Sequence, residues 1–341
     1  MSDFKINSIA TKQGQHGPVI AGVSTVNSTG CMKIPSGPTS FRGGRGRGII
    51  AGGYNFDTAS VLATMNFVDI ATTGDGQDFG DMSYGNSDRG GIASSTRGVF
   101  MNGQNDQTVD FVTISSKGGV GDFGEITSDH MGGCTFSNNI LGYRCGGNDA
   151  GVSIRTIIGM RIAQTGSFFD FGDLVRRGTY TAGVSSPTRG IIAGGAFQPS
   201  EYSSDVENAI EFITIATSGN STNFGSLTVA RKYSDSSSSA TRGLIAGGTD
   251  GSNRTNVIDF ITIASQGDAT DFGDLGIVSD TGKQGVVSNS IRGLFAGFYP
   301  TASRIEFVTI ASAGNAADFG DCTYIATAPN GCADSHGGIG E

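Results

Sequence analysis

The chain has 341 residues and a formal net charge of −9 at pH 7, with 56 glycines and no tryptophan. This much glycine disfavours a helical protein, because each glycine in a helix interior costs about 1 kcal/mol, and the lack of a three-residue glycine period excludes collagen. The acidic balance disfavours a surface that binds nucleic acid phosphates.

The first 46 residues precede the repeats that organise the rest of the chain. They contain no apolar segment typical of a signal peptide, and no run of 18 apolar residues occurs in the sequence. We therefore expect synthesis in a cytoplasm, without membrane insertion. The stretch FRGGRGRG looks like an RGG-type RNA-binding segment, but it lacks interleaved aromatic residues and is interpreted as a glycine linker. We predict that residues 1–46 form an extended, β-rich arm for attachment or oligomerisation.

A short strand then recurs six times, as RGIIAGG, RGVFMNG, LGYRCGG, RGIIAGG, RGLIAGG and RGLFAGF, starting at residues 47, 97, 141, 189, 242 and 292. Each copy is followed by a longer strand such as EFITIAT, a turn and a segment such as TDFGD, and most are preceded by small residues such as GVSSPT. Four short strands in a period near 50 residues are typical of a propeller blade of kelch type. We name them strands a, b, c and d, and predict an all-β, six-bladed β-propeller over residues 47–341.

The ends of the repeat region predict how the ring closes. The tail NGCADSHGGIG aligns with AGVSSPTRGII and supplies a strand a that has no blade of its own, whereas the first blade has no convincing strand a. We therefore expect the C-terminal strand to complete blade one. The small residues of strand a and the Phe and Ile of strands c and d also fit wedge-shaped blades that crowd at an axis.

Two polar positions repeat with the blades. Asp-Phe-Gly is also the magnesium-binding tripeptide of protein kinases, but the other kinase motifs are absent and the tripeptide recurs. We predict structural roles, in which these side chains make charge-assisted hydrogen bonds to turn backbone or to one another, and the following Phe fills the rim. The positions are Arg47, Arg97, Arg189, Arg242 and Arg292 at the start of strand b, and Asp78, Asp122, Asp170, Asn223, Asp271 and Asp318 in strand d.

One loop in each unit absorbs nearly all the variation in length. The strand c Phe and the strand d Phe are 12 residues apart in five units, and Gly159 and Phe171 keep that distance in the third, whereas the stretch between strands b and c varies. We predict binding loops on one face, at residues 54–65, 103–109, 148–156, 196–208, 249–257 and 299–304. The candidate binding residues are Tyr54, Asn105, Asp149, Tyr202, Asp250 and Tyr299. Calcium binding by the loops that are rich in Asp and Asn is a secondary alternative.

Residues for catalysis or for a cofactor are scarce. The three histidines are scattered and the five cysteines lack CxxC spacing, so we expect no catalytic residues, no metal, no cofactor and no disulfide framework. The alternative that stays open is a carbohydrate-binding or carbohydrate-active propeller enzyme with its site at the central channel. Asp334 and His336 are the obvious polar exceptions in the strands that line that channel.

The unit RGLIAGG…NVIDFITIASQGDATDFGDL…SNSIRGLFAGF resembles the kelch-like repeats of structural and tail-fibre-associated proteins of tailed phages, especially those of marine cyanobacteria. The leader beginning GQHGPVIAGVSTVNSTG resembles the β-rich N-terminal segment of such proteins. The resemblance implies a non-enzymatic structural protein of the virion, as a fibre, tail or capsid-decoration component. Its expected partners are other virion proteins or copies of itself, bound through the arm, and a host-surface glycan or protein.

The third unit departs from this pattern. Its strand c, GMRIAQ, lacks the Phe of the other copies and the acidic residue that precedes it in most of them, and its strand b begins with Leu141 in place of Arg. The sequence therefore predicts a distorted third blade.

Overall fold

The structure is a computed structural model that describes residues 46–340, apart from 86, 88–89, 102–106, 127–130, 150, 197–205, 279–284 and 299–302. All but the last residue of the predicted arm therefore lies outside the described residues. The first half of the strands is β1 (Arg47–Ala51), β2 (Tyr54–Asn55), β3 (Ser60–Val61), β4 (Thr64–Asp69), β5 (Gln77–Asp81), β6 (Gly90–Ala93), β7 (Arg97–Met101), β8 (Thr108–Thr113), β9 (Gly121–Glu125), β10 (Cys134–Ser137), β11 (Leu141–Cys145), β12 (Asn148–Asp149), β13 (Val152–Ser153) and β14 (Thr156–Arg161).

The remaining strands are β15 (Phe168–Asp173), β16 (Ala182–Ser185), β17 (Arg189–Ala193), β18 (Ala209–Thr214), β19 (Thr222–Ser226), β20 (Asp235–Ser238), β21 (Arg242–Ala246), β22 (Val257–Thr262), β23 (Thr270–Asp274), β24 (Gly285–Ser288), β25 (Arg292–Ala296), β26 (Arg304–Thr309), β27 (Ala317–Asp321) and β28 (Asn330–Ala333). A short 3₁₀ helix, Gly337–Ile339, follows them. No helix within the described residues is long and apolar enough to cross a membrane.

These strands form six four-stranded antiparallel sheets in the order a-b-c-d, such as β6-β7-β8-β9. The predicted all-β, six-bladed propeller is therefore confirmed. Two short ribbons, β2-β3 and β12-β13, lie within the connections between strands b and c. A bulge between strands c and d, as at Met65 and Asn66 of blade one, recurs in all six blades.

The C-terminal strand closes the ring. Strand β28 pairs antiparallel with β1, with Gly48 opposite Ala333 and Ala51 opposite Asn330, so blade one has the order β28-β1-β4-β5. Beyond that strand, Asp334 Oδ1 accepts a hydrogen bond from the Arg47 backbone nitrogen at 2.9 Å. The closure predicted from the sequence is confirmed.

Side-chain size changes from the axis to the rim as wedge packing requires. At the axis, a Cβ atom on Gly331 would collide with the Val286 carbonyl, so the two strands approach with no room for a side chain. At the rim, Phe67 and Phe79 pack edge to face with ring centroids 6.3 Å apart. The six Phe residues of strand d are all buried, at Phe79, Phe123, Phe171, Phe224, Phe272 and Phe319. They form the rim core that the sequence predicts.

Blade three is a regular blade, so the predicted distortion is wrong. Strands β10, β11, β14 and β15 pair in the same order as the strands of the other blades. The space that Gly159 leaves in strand c is filled from strand d, because a Cβ atom at Gly159 would collide with the ring of Phe169. The ring of Phe169, from the neighbouring strand, therefore occupies the space that the missing Phe leaves.

Candidate functional site

The propeller has two faces of different character. We call the side that carries the a–b and c–d turns the turn face, and the side that carries the b–c and d–a connections the loop face. On the loop face, strand b commonly ends in two glycines with positive φ, such as Gly52 and Gly53 at 66° and 107°. Backbone bridges then tie the first loop residue to the preceding d–a connection: Tyr54 with Thr327, Asn148 with Met131, Ala196 with Thr179, and Thr249 with Lys232. The bases of these loops are therefore held in place by the sheet scaffold.

The repeated arginines join neighbouring blades at the turn face. Arg189 Nη1 donates hydrogen bonds to the carbonyls of Ile263 and Ala264 in blade five, at 3.1 and 2.8 Å. Its guanidinium carbon lies 4.8 Å from the ring centroid of Phe212 in its own blade. The same contacts recur from Arg47 to Ile114, Arg97 to Ile162, Arg242 to Ile310 and Ala311, and Arg292 to Ile70 and Ala71. The arginines bond to backbone, as predicted, but across the junction between two blades.

Blade three makes the same junction with other residues. It has Leu141 in place of Arg and Gly159 in place of the Phe under the guanidinium. There the Tyr143 hydroxyl donates a 2.7 Å hydrogen bond to the Ile215 carbonyl of blade four, the counterpart of the carbonyl that Arg189 reaches. Burial raises the pKa of Tyr143, so its hydroxyl stays protonated and remains a donor.

The Phe and Gly of the Asp-Phe-Gly tripeptide also make contacts between neighbouring blades. The Phe319 carbonyl accepts a 2.9 Å hydrogen bond from the Gly74 nitrogen in the c–d turn of blade one. A Cβ atom on Gly320 would lie 2.6 Å from the Gly74 carbonyl oxygen, so the close approach requires glycine there. The same bond joins every neighbouring pair of blades: Gly118 to Phe79, Gly166 to Phe123, Gly219 to Phe171, Gly267 to Phe224 and Gly314 to Phe272.

The acidic side chains of strand d do not behave as predicted. Asp78, Asp170 and Asp271 are exposed and make no side-chain hydrogen bond or ion pair with any described residue. Of the others, Asp122 accepts a bond from the Gly124 nitrogen at 2.8 Å, Asp318 lies 3.6 Å from Arg304 Nε, and Asn223 offers only its backbone carbonyl, to Gln266. Because side chains alternate along a strand, a residue that precedes the inward Phe of the outermost strand points into solvent.

Sequence reasoning missed a buried carboxylate that does join blades. The residue before the strand c Phe is buried, and it accepts hydrogen bonds from the segment that follows strand d of the preceding blade. Asp259, for example, accepts from the Thr228 hydroxyl at 2.6 Å and backbone nitrogen at 3.1 Å. Its Oδ2 lies 3.1 Å from Arg231 Nη2, and both side chains are 0% exposed. The equivalent residues are Asn66, Asp110, Glu211 and Glu306. The recurring Asp-Phe and Glu-Phe pairs of strand c are the sequence pattern that could have identified these residues.

The axial channel contains a small cavity of about 110 Å³ that is lined by strand a residues. Three buried polar atoms on its walls have no hydrogen-bonding partner among the described residues: Thr181 Oγ1, Ser237 Oγ and Asn330 Nδ2. The cavity has room for about three water molecules at their liquid volume. It is smaller than most small-molecule sites, which occupy roughly 300–1,000 Å³.

His336 closes this cavity at the turn face. Its Nδ1 accepts a hydrogen bond from the Gly338 nitrogen at 3.1 Å, so its Nε2 carries the proton and donates to the Ala93 carbonyl at 2.9 Å. Burial lowers the pKa of His336 to about 4, which keeps the ring neutral. Both ring nitrogens of His336 are hydrogen-bonded to backbone, so His336 closes the channel. Asp334 accepts its hydrogen bond from the first strand, β1. Neither polar exception in the channel strands therefore faces a substrate-sized space.

Three of the candidate loop residues lie within the described residues, and Asn105, Tyr202 and Tyr299 lie outside them. The backbone of Tyr54 forms a loop-base bridge, and Asp149 pairs with Val152 in a ribbon. Asp250 Oδ1 accepts from the backbone nitrogens of Ser252 and Asn253, and these bonds lower its pKa. Across the described part of the chain, no group of three or more His, Cys, Asp or Glu residues is arranged to hold a metal ion.

An arginine cluster on the loop face also escaped sequence reasoning. Arg155, Arg176 and Arg177 line an open depression of about 600 Å³ between blades three and four, together with Val175 and Glu207. Arg176 Nη1 lies 3.0 Å from Glu207 Oε2. We call this depression the arginine site.

No protein-family model matches the sequence, and no curated protein is significantly similar to it. Function is therefore proposed from the geometry of the molecule together with the resemblance of its repeats.

Proposed function

We propose that the protein is a non-enzymatic structural protein of a virion, in which the propeller presents its loop face to a ligand on the host surface. The observation that carries this proposal is the unequal distribution of exposed apolar side chains between the two faces. Among the described residues, eight of the ten large ones lie in loop-face connections, at Phe56, Val61, Tyr84, Val152, Val175, Val229, Val278 and Ile325, and two lie in turn-face turns, at Ile140 and Ile291. Exposed apolar residues that gather on one side are typical of an interaction surface.

The use of polar groups supports the same division. On the turn face, repeated arginine side chains and turn backbone are engaged in bonds between blades, which leaves a surface specialised for holding the ring together. On the loop face, connections of unequal length rise from bases that backbone bridges hold in place. A rigid scaffold that carries variable loops on one side is a common construction for binding.

The assignment to a virion rests on the resemblance of the repeats to those of phage structural and tail-fibre-associated proteins. Residues 1–46 would attach the propeller to other virion proteins or to copies of itself, by adding a strand to a neighbouring sheet. We favour a binding protein over an enzyme with a catalytic site at the axis. The axial cavity is small, and His336, which closes it, is kept neutral by burial.

The loop-face proposal is tested by paired variants on the two faces. Phe56→Ser with Val61→Thr removes apolar contact from the loop face, and Ile140→Ser with Ile291→Thr removes a similar amount from the turn face. Adsorption of the purified proteins to candidate host cells is measured. We expect about a tenfold loss for the loop-face pair and little change for the turn-face pair. Equal losses in both pairs would refute the proposal.

The arm proposal is tested separately, by the assembly state. The full chain is expected to sediment as an oligomer, or to join other virion proteins, whereas a chain lacking residues 1–40 is expected to sediment as a monomer. An assembled truncated chain would count against the arm.

A further inference from the structure

We propose that the arginine site binds the carboxylate or sulfate groups of an acidic polysaccharide. This inference rests on the proposed function, because it names a ligand for the loop face. The site is built from three connections that are distant in sequence. Arg155 ends the b–c loop of blade three, Arg176 and Arg177 follow β15 in the connection to blade four, and Glu207 ends the b–c loop of blade four.

The charges of the site are only partly neutralised by the protein. Glu207 faces Arg176, with side chains that remain 32% and 46% exposed. The side chains of Arg155 and Arg177 make no hydrogen bond or ion pair with any residue that the structure describes, and both are exposed. Three guanidinium groups and the Glu207 carboxylate line the depression, and the buried Glu211 carboxylate lies beside it, where it accepts hydrogen bonds from the Val175 and Arg176 backbone nitrogens at 3.1 Å. This leaves one positive charge in excess, on a chain whose net charge is −9. A concave positive region on an acidic protein concentrates anions locally.

The repeat shows that the fold does not need these arginines. The positions of Arg176 and Arg177 are occupied by Val229 and Ala230 in the next blade, and that of Arg155 is occupied by Asn208. The backbone bond at the base is the same in both blades, from the Leu174 nitrogen to the Arg155 carbonyl and from the Leu227 nitrogen to the Asn208 carbonyl. The scaffold therefore accepts neutral side chains at all three positions, and the arginines are free to serve a ligand.

The chemistry of the site favours an acidic polysaccharide. Guanidinium groups pair in two-pronged geometry with planar or tetrahedral oxyanions. The depression is open, which admits part of a polymer, and Val175, 52% exposed, offers an apolar surface to the carbon face of a sugar ring. A nucleic acid needs an extended track of cations along its phosphates, whereas this site presents three cations beside a carboxylate.

The test measures binding of the full chain to heparin, which is sulfated, to polygalacturonate, which is carboxylated, to neutral dextran and to single-stranded DNA. The variant Arg155→Asn/Arg176→Val/Arg177→Ala carries the residues of the next blade, so the fold is expected to survive, with an unchanged melting temperature as the check. Arg161→Thr is the matched control, because it removes an exposed arginine from the turn face of the same blade and introduces the Thr of blades two and four. Glu207→Gln removes the carboxylate that competes with the ligand.

We expect saturable binding of one or both acidic polysaccharides, a loss of about tenfold or more in the triple variant, little change in Arg161→Thr and tighter binding in Glu207→Gln. Preference for heparin or for polygalacturonate distinguishes a sulfate ligand from a carboxylate ligand. The inference is overturned if the triple variant binds as the native chain does, if dextran binds equally, or if DNA binds most tightly.

Failure of this inference is distinguishable from failure of the proposed function. If no acidic polysaccharide binds but the Phe56 and Val61 substitutions still reduce adsorption to host cells, the arginine site alone has been misassigned. If those substitutions also have no effect, the loop face is not the binding face.

Discussion

Blade three and the other five blades reach the same junction geometry with different side chains. Five blades use an arginine over a Phe to bond to the next blade, whereas blade three uses the Tyr143 hydroxyl and fills the empty position with Phe169. Blade three also carries Ile158 where most blades bury an acid. The difference teaches that the carbonyl at the end of strand c must be satisfied and the wedge must be filled, whereas the residue types that do so are exchangeable.

The largest effect is expected from breaking the buried ion pair between Asp259 and Arg231, whose acid stands at the position that Ile158 occupies in blade three. Asp259→Ala leaves the Arg231 guanidinium buried without its carboxylate, and we expect a loss of about 3–5 kcal/mol in the free energy of unfolding, measured by denaturant titration. The control is the double variant Asp259→Leu/Arg231→Met, which imitates the apolar side chain of blade three and should lose less than the single variant. A double variant that is less stable than Asp259→Ala would show that the pair itself is needed.

The next effect is the pH dependence of stability that His336 causes. His336 closes the channel beside blade three, where its Nε2 lies 3.2 Å from Ser137 Oγ. The folded pKa of His336 is about 4, below the ordinary value of 6.5, so the unfolded chain binds a proton that the folded chain rejects. Stability should therefore be constant above pH 6.5 and fall towards pH 4, by at most about 3 kcal/mol. His336→Gln keeps a donor for the Ala93 carbonyl and should lose this pH-dependent difference. If the stability of the two proteins changed with pH in the same way, His336 would not be the source of this pH dependence.

A smaller effect is expected from removing either of the two side-chain types, tyrosine or arginine, that donate a hydrogen bond to a strand c carbonyl of the next blade. Tyr143→Phe leaves the Ile215 carbonyl without its donor, and Arg242→Leu does the same to Ile310 and Ala311. We expect Tyr143→Phe to cost about 1–3 kcal/mol in the free energy of unfolding, because a buried acceptor loses its partner. Arg242→Leu should cost about 1 kcal/mol, because its bonds to Ile310 and Ala311 are part-buried and exposed. If only the arginine variant is destabilised, Tyr143 is not its functional substitute.

The smallest effect is expected within the repeated tripeptide. Asp271→Asn, which introduces the residue that blade four carries at this position, should change the unfolding free energy by less than about 0.5 kcal/mol, because the side chain is exposed and unpaired among the described residues. Phe272→Ala, one residue later, should cost about 3–5 kcal/mol by emptying the rim. A large loss in Asp271→Asn would restore a structural role to the acid.

The regular part of the fold was predictable because its signals are local and repeated. Constant spacing between the two Phe residues fixes the c–d hairpin, and the alignment of the tail identifies the closing strand β28. The Asp of strand d was misread because its pattern repeats as regularly as that of the Phe, although only the Phe faces the interior. Repetition alone does not distinguish a residue that makes a contact from one that merely precedes it.

The repair of blade three and the arginine site were not predictable from the sequence. Tyr143 and Phe169 stand at positions outside the arginine and Phe series, and their contacts depend on how strands from two blades meet. Arg155, Arg176 and Glu207 are separated by 21 and 31 residues, and their residue types do not recur at the equivalent positions of the next blade. Only the ring topology, which places consecutive connections side by side, brings them to one depression.

Hydrogen exchange of the full chain, with and without a bound acidic polysaccharide, tests the division between the two faces. We predict added protection at residues 151–156 and 174–178 on the loop face, and none at the a–b turns 94–97 and 186–189 or in the strands that line the channel. Protection that appears at those turns or in the axial strands, with the loop face unchanged, would show that the ligand binds elsewhere and that the loop face is not the functional surface.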